Sequence, residues 1–90
     1  MDNYITLAAL LRSVDIEQEL RVYVEDFEAD PSGKRYIIDG SLGEYAPRDW
    51  RRPTASDAMI GQACEDYYGA RVAFIRTTDD GVLEIEVDEP

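Results

Sequence analysis

Three stretches hold the side chains with chemistry to offer. Glu84, Glu86 and Asp88 alternate near the end of the chain. Glu25, Asp26, Glu28 and Asp30 crowd into six residues, and Arg48-Asp49-Trp50-Arg51-Arg52 combines the single Trp with the densest group of bases. Catalysis finds little material. The chain has no His, and its single Cys, Cys64, has no neighbouring base to activate it. One Cys and no His exclude a zinc site, and no Gly-rich phosphate loop or Gly-x-Ser-x-Gly elbow occurs. Solvated carboxylates keep ordinary pKa values and move no protons near neutral pH. The run from Glu25 to Asp30 lacks the alternating oxygens and closing Glu of a calcium loop. The expectation is a non-enzyme, without metal or cofactor, whose acids act by charge.

Those acids need a scaffold, and the clearest one spans residues 70–88. Asp79-Asp80-Gly81 reads as a three-residue hairpin loop, with Gly81 at its left-handed position. The loop pairs Thr78 with Val82, Thr77 with Leu83, Arg76 with Glu84, Ile75 with Ile85, Phe74 with Glu86 and Ala73 with Val87. Ile75, Leu83, Ile85 and Val87 then share a core face, while Glu84, Glu86 and Asp88 face out with Phe74 and Arg76. A two-residue loop would set Ile75 against Glu86, a poorer match. Alternate residues on a strand lie about 6.5 to 7 Å apart, near the same-strand phosphate spacing of a nucleic acid.

Upstream, Leu7, Leu10, Leu11 and Val14 form one helical stripe, with Thr6 as N-cap and Ile5 stapled over Leu10. Leu20 to Phe27 alternates as a strand, with Leu20, Val22 and Val24 on one side and Arg21, Tyr23 and Glu25 on the other. An acidic turn through Asp30, Pro31 and Gly33 leads to a return strand over 34–39. Residues 40–53 lack periodicity, and Trp50 there is either a binding anchor or a plug at the edge of the core. Thr54 with Asp57 reads as the cap of a second helix burying Met59, Ile60, Ala63, Cys64 and Tyr67, with Gly69 as C-cap. The order is α-β-β-α-β-β. The expected fold is a single α+β domain, residues 1–90, with a four-stranded, largely antiparallel sheet and two helices on one face.

Twenty acids against nine bases leave a net charge of −11 over 90 residues. The range recommended for small soluble domains is a magnitude of about 2 to 8. Such a chain is repelled by nucleic acid and by anionic membranes, and it favours a cationic partner. Lys34 is the only Lys, so salt adaptation is the competing explanation of the acidity. A lone Cys, no long apolar segment and no signal-like start make a cytoplasmic protein the expectation.

In size, charge and element order the chain resembles small acidic proteins of phages and mobile elements, among them anti-CRISPR proteins and other DNA mimics. The opening Ile5-Thr6-Leu7-Ala8-Ala9-Leu10-Leu11-Arg12-Ser13-Val14-Asp15, followed by Leu20-Arg21-Val22-Tyr23-Val24-Glu25-Asp26, carries this likeness. It implies an inhibitor whose carboxylates occupy the basic groove of a nucleic-acid-binding protein or CRISPR effector. Glu84, Glu86, Asp88, Glu25, Asp26, Glu28 and Asp30 are the contact residues expected, with Trp50 as a neighbouring anchor. The Arg48–Arg52 cluster departs from an extreme mimic. The alternative is an interaction module or homodimer built on aromatics, chiefly Phe74, Tyr23 and Trp50 with Phe27 and Tyr36.

Overall fold

The structure is a computed structural model that describes residues 4–28 and 31–89. It contains α1 (Leu7–Leu11), β1 (Leu20–Glu25), β2 (Lys34–Gly40), α2 (Asp57–Cys64), β3 (Val72–Thr77) and β4 (Leu83–Val87). Short 3-10 turns lie at Leu42–Tyr45 and Glu65–Tyr67. The fold is α+β, and its four strands run in the order β2-β1-β4-β3.

Each hairpin is antiparallel, but the seam between them is parallel, with Leu20 beside Leu83 and Tyr23 beside Glu86. The sheet is therefore mixed. The inward residues of its two middle strands explain their position: Leu20, Val22 and Val24 of β1, and Ile85 and Val87 of β4, are all buried. Strands with fully apolar inward faces gain most at the centre of a sheet, where helices cover them. Both helices join that single core, α1 through Leu7, Ala8 and Leu11, and α2 through Ile60, Ala63 and Cys64.

Local chemistry explains the ends of the elements. Thr6 Oγ1 accepts the Ala9 amide at 3.2 Å and caps α1 as expected. Ile5 does not close over Leu10; it stays exposed, because its segment pairs with the start of β3 through Val72 N–H to Ile5 O (2.8 Å) and Leu7 N–H to Ala70 O (2.8 Å). Ser56, not Thr54, caps α2 by accepting from Met59 N–H at 3.2 Å; Thr54 is held in a β-bridge to Asp15. Gly69 is not the C-cap. The helix ends at Glu65, whose φ of 53° and ψ of −120° turn the chain four residues earlier than expected.

The terminal hairpin has the expected register from Phe74–Glu86 through Thr77–Leu83. Gly81 sits at φ 82°, and Thr78 N–H donates to Val82 O at 2.8 Å. At the far end a bulge sets Val72, rather than Ala73, opposite Val87. One expected core residue is misplaced. Ile75 is 43% exposed, because β3 is the edge strand and the helices do not reach over it.

Candidate functional site

The sheet face away from the helices is where carboxylates were expected to stand open. Register places Asp39, Arg21, Glu84 and Arg76 in one row across all four strands, with signs alternating. Arg21 lies 3.9 Å from both Asp39 Oδ1 and Glu84 Oε2. The Arg76 guanidinium donates to Glu84 Oε1 through Nε at 3.0 Å and through Nη2 as well. Glu84 thus faces outward yet is only 7% exposed. The Arg76 hydrogen bonds hold its carboxyl below the ordinary range despite the opposing effect of burial. As an open contact residue Glu84 is corrected: arginines on both neighbouring strands close over it.

The next row reads Tyr36, Tyr23, Glu86 and Phe74. Tyr23 and Tyr36 meet edge to face at 6.0 Å, and the Lys34 ammonium sits 4.7 Å from the centre of the Tyr23 ring. These neighbours bury Tyr23 on a face without helices, and burial first, then the Glu86 and Glu84 charges, pushes its phenol pKa up. Tyr23 is therefore unavailable as a contact aromatic, whereas Phe74 is 52% exposed and Phe27 and Tyr36 are also open. The outer face is a laced surface on which Glu86 is half-exposed and Asp39, beside Arg21, is exposed at the β2 edge.

The parallel seam regroups the remaining acids. It sets the ends of β1 and β4 side by side, so the stretch Glu25, Asp26, Glu28 meets the stretch Glu86, Asp88, Glu89. Arg35 fastens them, donating to Asp26 Oδ2 (3.2 Å), Glu89 Oε1 (2.6 Å) and the Tyr67 hydroxyl (2.7 Å). Arg71 holds Asp88 at 2.7 Å. Glu25, Glu28 and Glu86 form no ion pair among the described residues. Asp30 lies outside the described residues.

The opposite end of the sheet holds a group that sequence reasoning passed over. Gln18 Nε2 donates to Gly81 O (2.7 Å) and to Glu19 O (3.0 Å), and Glu19 O also accepts from Leu83 N–H (2.9 Å). These bonds bring the Gln18–Glu19 segment to the β3–β4 loop that carries Asp79 and Asp80, with Glu17 one residue upstream. All four acids are exposed, and none has an ion-pair partner among the described residues. The only sequence signal was two polar connections, which say nothing about each other until the parallel seam is known.

Trp50 is half-buried but is not among the side chains of the core or those packed on it. Its indole Nε1 is shut from water without an acceptor, and the Arg52 guanidinium lies 5.7 Å from the ring centre. Arg51 Nη1 donates to the carbonyls of Trp50 (3.2 Å) and Arg48 (3.4 Å).

Cys64 is fully buried, and desolvation pushes its thiol pKa up to about 12, so it packs and does not attack. Among the described residues no group of three or more His, Cys, Asp or Glu could hold a metal ion. Nor is any helix among them long and apolar enough to cross a membrane. Comparison of the chain with protein-family models, curated proteins and solved structures returned no match.

Proposed function

We propose that this is a non-catalytic binding protein that presents carboxylates to the basic, nucleic-acid-binding surface of a protein partner, as anti-CRISPR proteins and other DNA mimics do. One observation carries the reading. The fold sets Glu19, Asp79 and Asp80, with Glu17 just upstream, at one end of the sheet and leaves them exposed without an ion-pair partner among the described residues, although most of the arginines elsewhere are drawn into ion pairs. Unpaired carboxylates held together raise a local negative potential that steers and holds a basic groove. Glu25 and Glu28, exposed and likewise without an ion pair among the described residues, supply acids at the other end, with the half-exposed Glu86 near them on the outer face. The working surface is therefore the two ends of the sheet, with Glu84 serving the fold.

The test is capture by the immobilised protein of nucleic-acid-binding proteins, with competition by plain duplex DNA. DNA should displace the captured partner, and binding should weaken steeply with salt. A variant with Glu17→Gln, Glu19→Gln, Asp79→Asn and Asp80→Asn should lose capture while remaining folded. Capture indifferent to DNA and to these four changes would reject the reading.

A second reading rests on the open edge of the sheet. Thr78 bonds to Val82, so strand alternation turns the main-chain groups of Phe74 and Arg76 toward β4 and those of Ile75 and Thr77 outward. With Tyr4, Ile5, Phe74 and Ile75 exposed along it, this edge could accept another strand, a second copy included. Concentration-dependent dimerisation that survives high salt in light scattering would favour it over the first reading.

A further inference from the structure

The eight arginines of this protein fall into two populations. Arg12, Arg21, Arg35, Arg71 and Arg76 each lie within 4 Å of a carboxylate. Arg48, Arg51 and Arg52 have no carboxylate partner among the described residues, although acids outnumber bases by 20 to 9. All three are exposed and lie within five residues. Asp49 stands between them and takes none of them. In a chain so rich in acids, three neighbouring guanidiniums without an ion pair among the described residues are donors left for an outside anion.

We infer that the Arg48–Arg52 loop is an oxyanion site for a phosphate monoester, carried by a phosphorylated side chain of a protein partner. Three features set the chemistry. Arg51 is pinned by Nη1 to two loop carbonyls, which pre-orients the rest of its donor fork. One guanidinium suffices for a carboxylate bidentately, whereas three guanidiniums carried on one five-residue loop match a dianion with three acceptor oxygens. A nucleic-acid strand fits less well, because Arg52 already lies against the Trp50 ring and Asp15 and Glu17 line the same recess. A compact dianion incurs less repulsion from those carboxylates than an extended polyanionic strand.

Trp50 supplies its own reporter, as the only Trp and one whose indole N–H has no acceptor. The full-length protein is titrated with inorganic phosphate at ionic strength held constant with sodium chloride, following Trp emission and the phosphorus-31 line width. A saturable response in both is expected, competed by a phosphoserine peptide and lost toward pH 5, where phosphate becomes a monoanion (second pKa about 6). Arg48→Gln and Arg51→Gln should each weaken binding at least about tenfold, with unchanged circular dichroism and unfolding midpoint. A response reproduced by chloride alone, or binding unaltered in both variants, overturns the inference. So does tighter binding of an oligonucleotide without terminal phosphate than of the phosphopeptide, which would assign the loop to nucleic acid.

Discussion

Glu65→Gly should make the protein more stable, and the expected gain can be worked from one pair of angles. Glu65 is the only non-glycine residue with positive φ among those described, and its φ of 53° and ψ of −120° are those of the first central position of a type II′ turn. That position takes Gly, because a Cβ there is crowded; residues held in such regions carry about 1–3 kcal/mol of strain. Glycine returns about 0.5–1 kcal/mol through the extra freedom of the unfolded chain. The net expectation is a gain of about 1 kcal/mol, or about 4–8 °C in midpoint for a domain of this size. Glu65 is also an acid at the C-terminal end of α2, an unfavourable placement worth about 0.3–1 kcal/mol. Glu65→Ala separates the two effects: it removes the charge, keeps the Cβ, and should recover only the electrostatic part. Urea unfolding followed by Trp50 emission and by circular dichroism gives both numbers, with the m-value unchanged. If Ala stabilises as much as Gly, backbone strain is not the cause; if Gly destabilises, the turn is not strained.

Acid should dismantle the row of charges across the outer face. The Glu84 carboxyl is depressed in the folded state, so its contribution is present above the unfolded carboxylate value of about 4.3 and is lost as pH falls through the lower, folded value. The stability difference between the protein and Glu84→Gln should therefore be largest near neutrality and shrink below about pH 4.3; a difference that stays constant into acid would remove the ion-pair explanation. Gly81→Ala should cost about 1 kcal/mol, because Gly81 sits at φ 82° with open space where a Cβ would go, whereas Gly81→Asn should be better tolerated. Equal stability of Ala and Gly at 81 in thermal unfolding would refute the left-handed loop.

Local chemistry was legible and lateral chemistry was not. The register of β3 on β4 could be read because a three-residue loop with Gly81 leaves one pairing that matches Arg76 to Glu84 and Ile75 to Ile85. The Thr6 cap and the inward set Leu20, Val22 and Val24 were legible for the same reason: period and neighbour suffice. The parallel seam of β1 with β4 joins residues more than sixty positions apart without a turn to announce it, so both acid groupings stayed hidden. Glu84 was read correctly as outward and wrongly as open, because Arg76, its expected hairpin partner, and Arg21, a neighbour only through that seam, cover it from both sides. Thr54 lost its capping role to a bridge with Asp15, again a contact that no local pattern specifies.

Having β4 between β1 and β3 also orders events in time. A ribosome releases β1 and β2 long before β4, the strand that must dock along β1, so the emerging hairpin waits with one flank bare and its oily side half-clad. The long loop that must close before Leu20 meets Leu83 is an entropic toll on the folding rate. Substitutions that weaken that middle seam should consequently leave most of the secondary structure recognisable while turning a cooperative unit into two loosely associated ribbons.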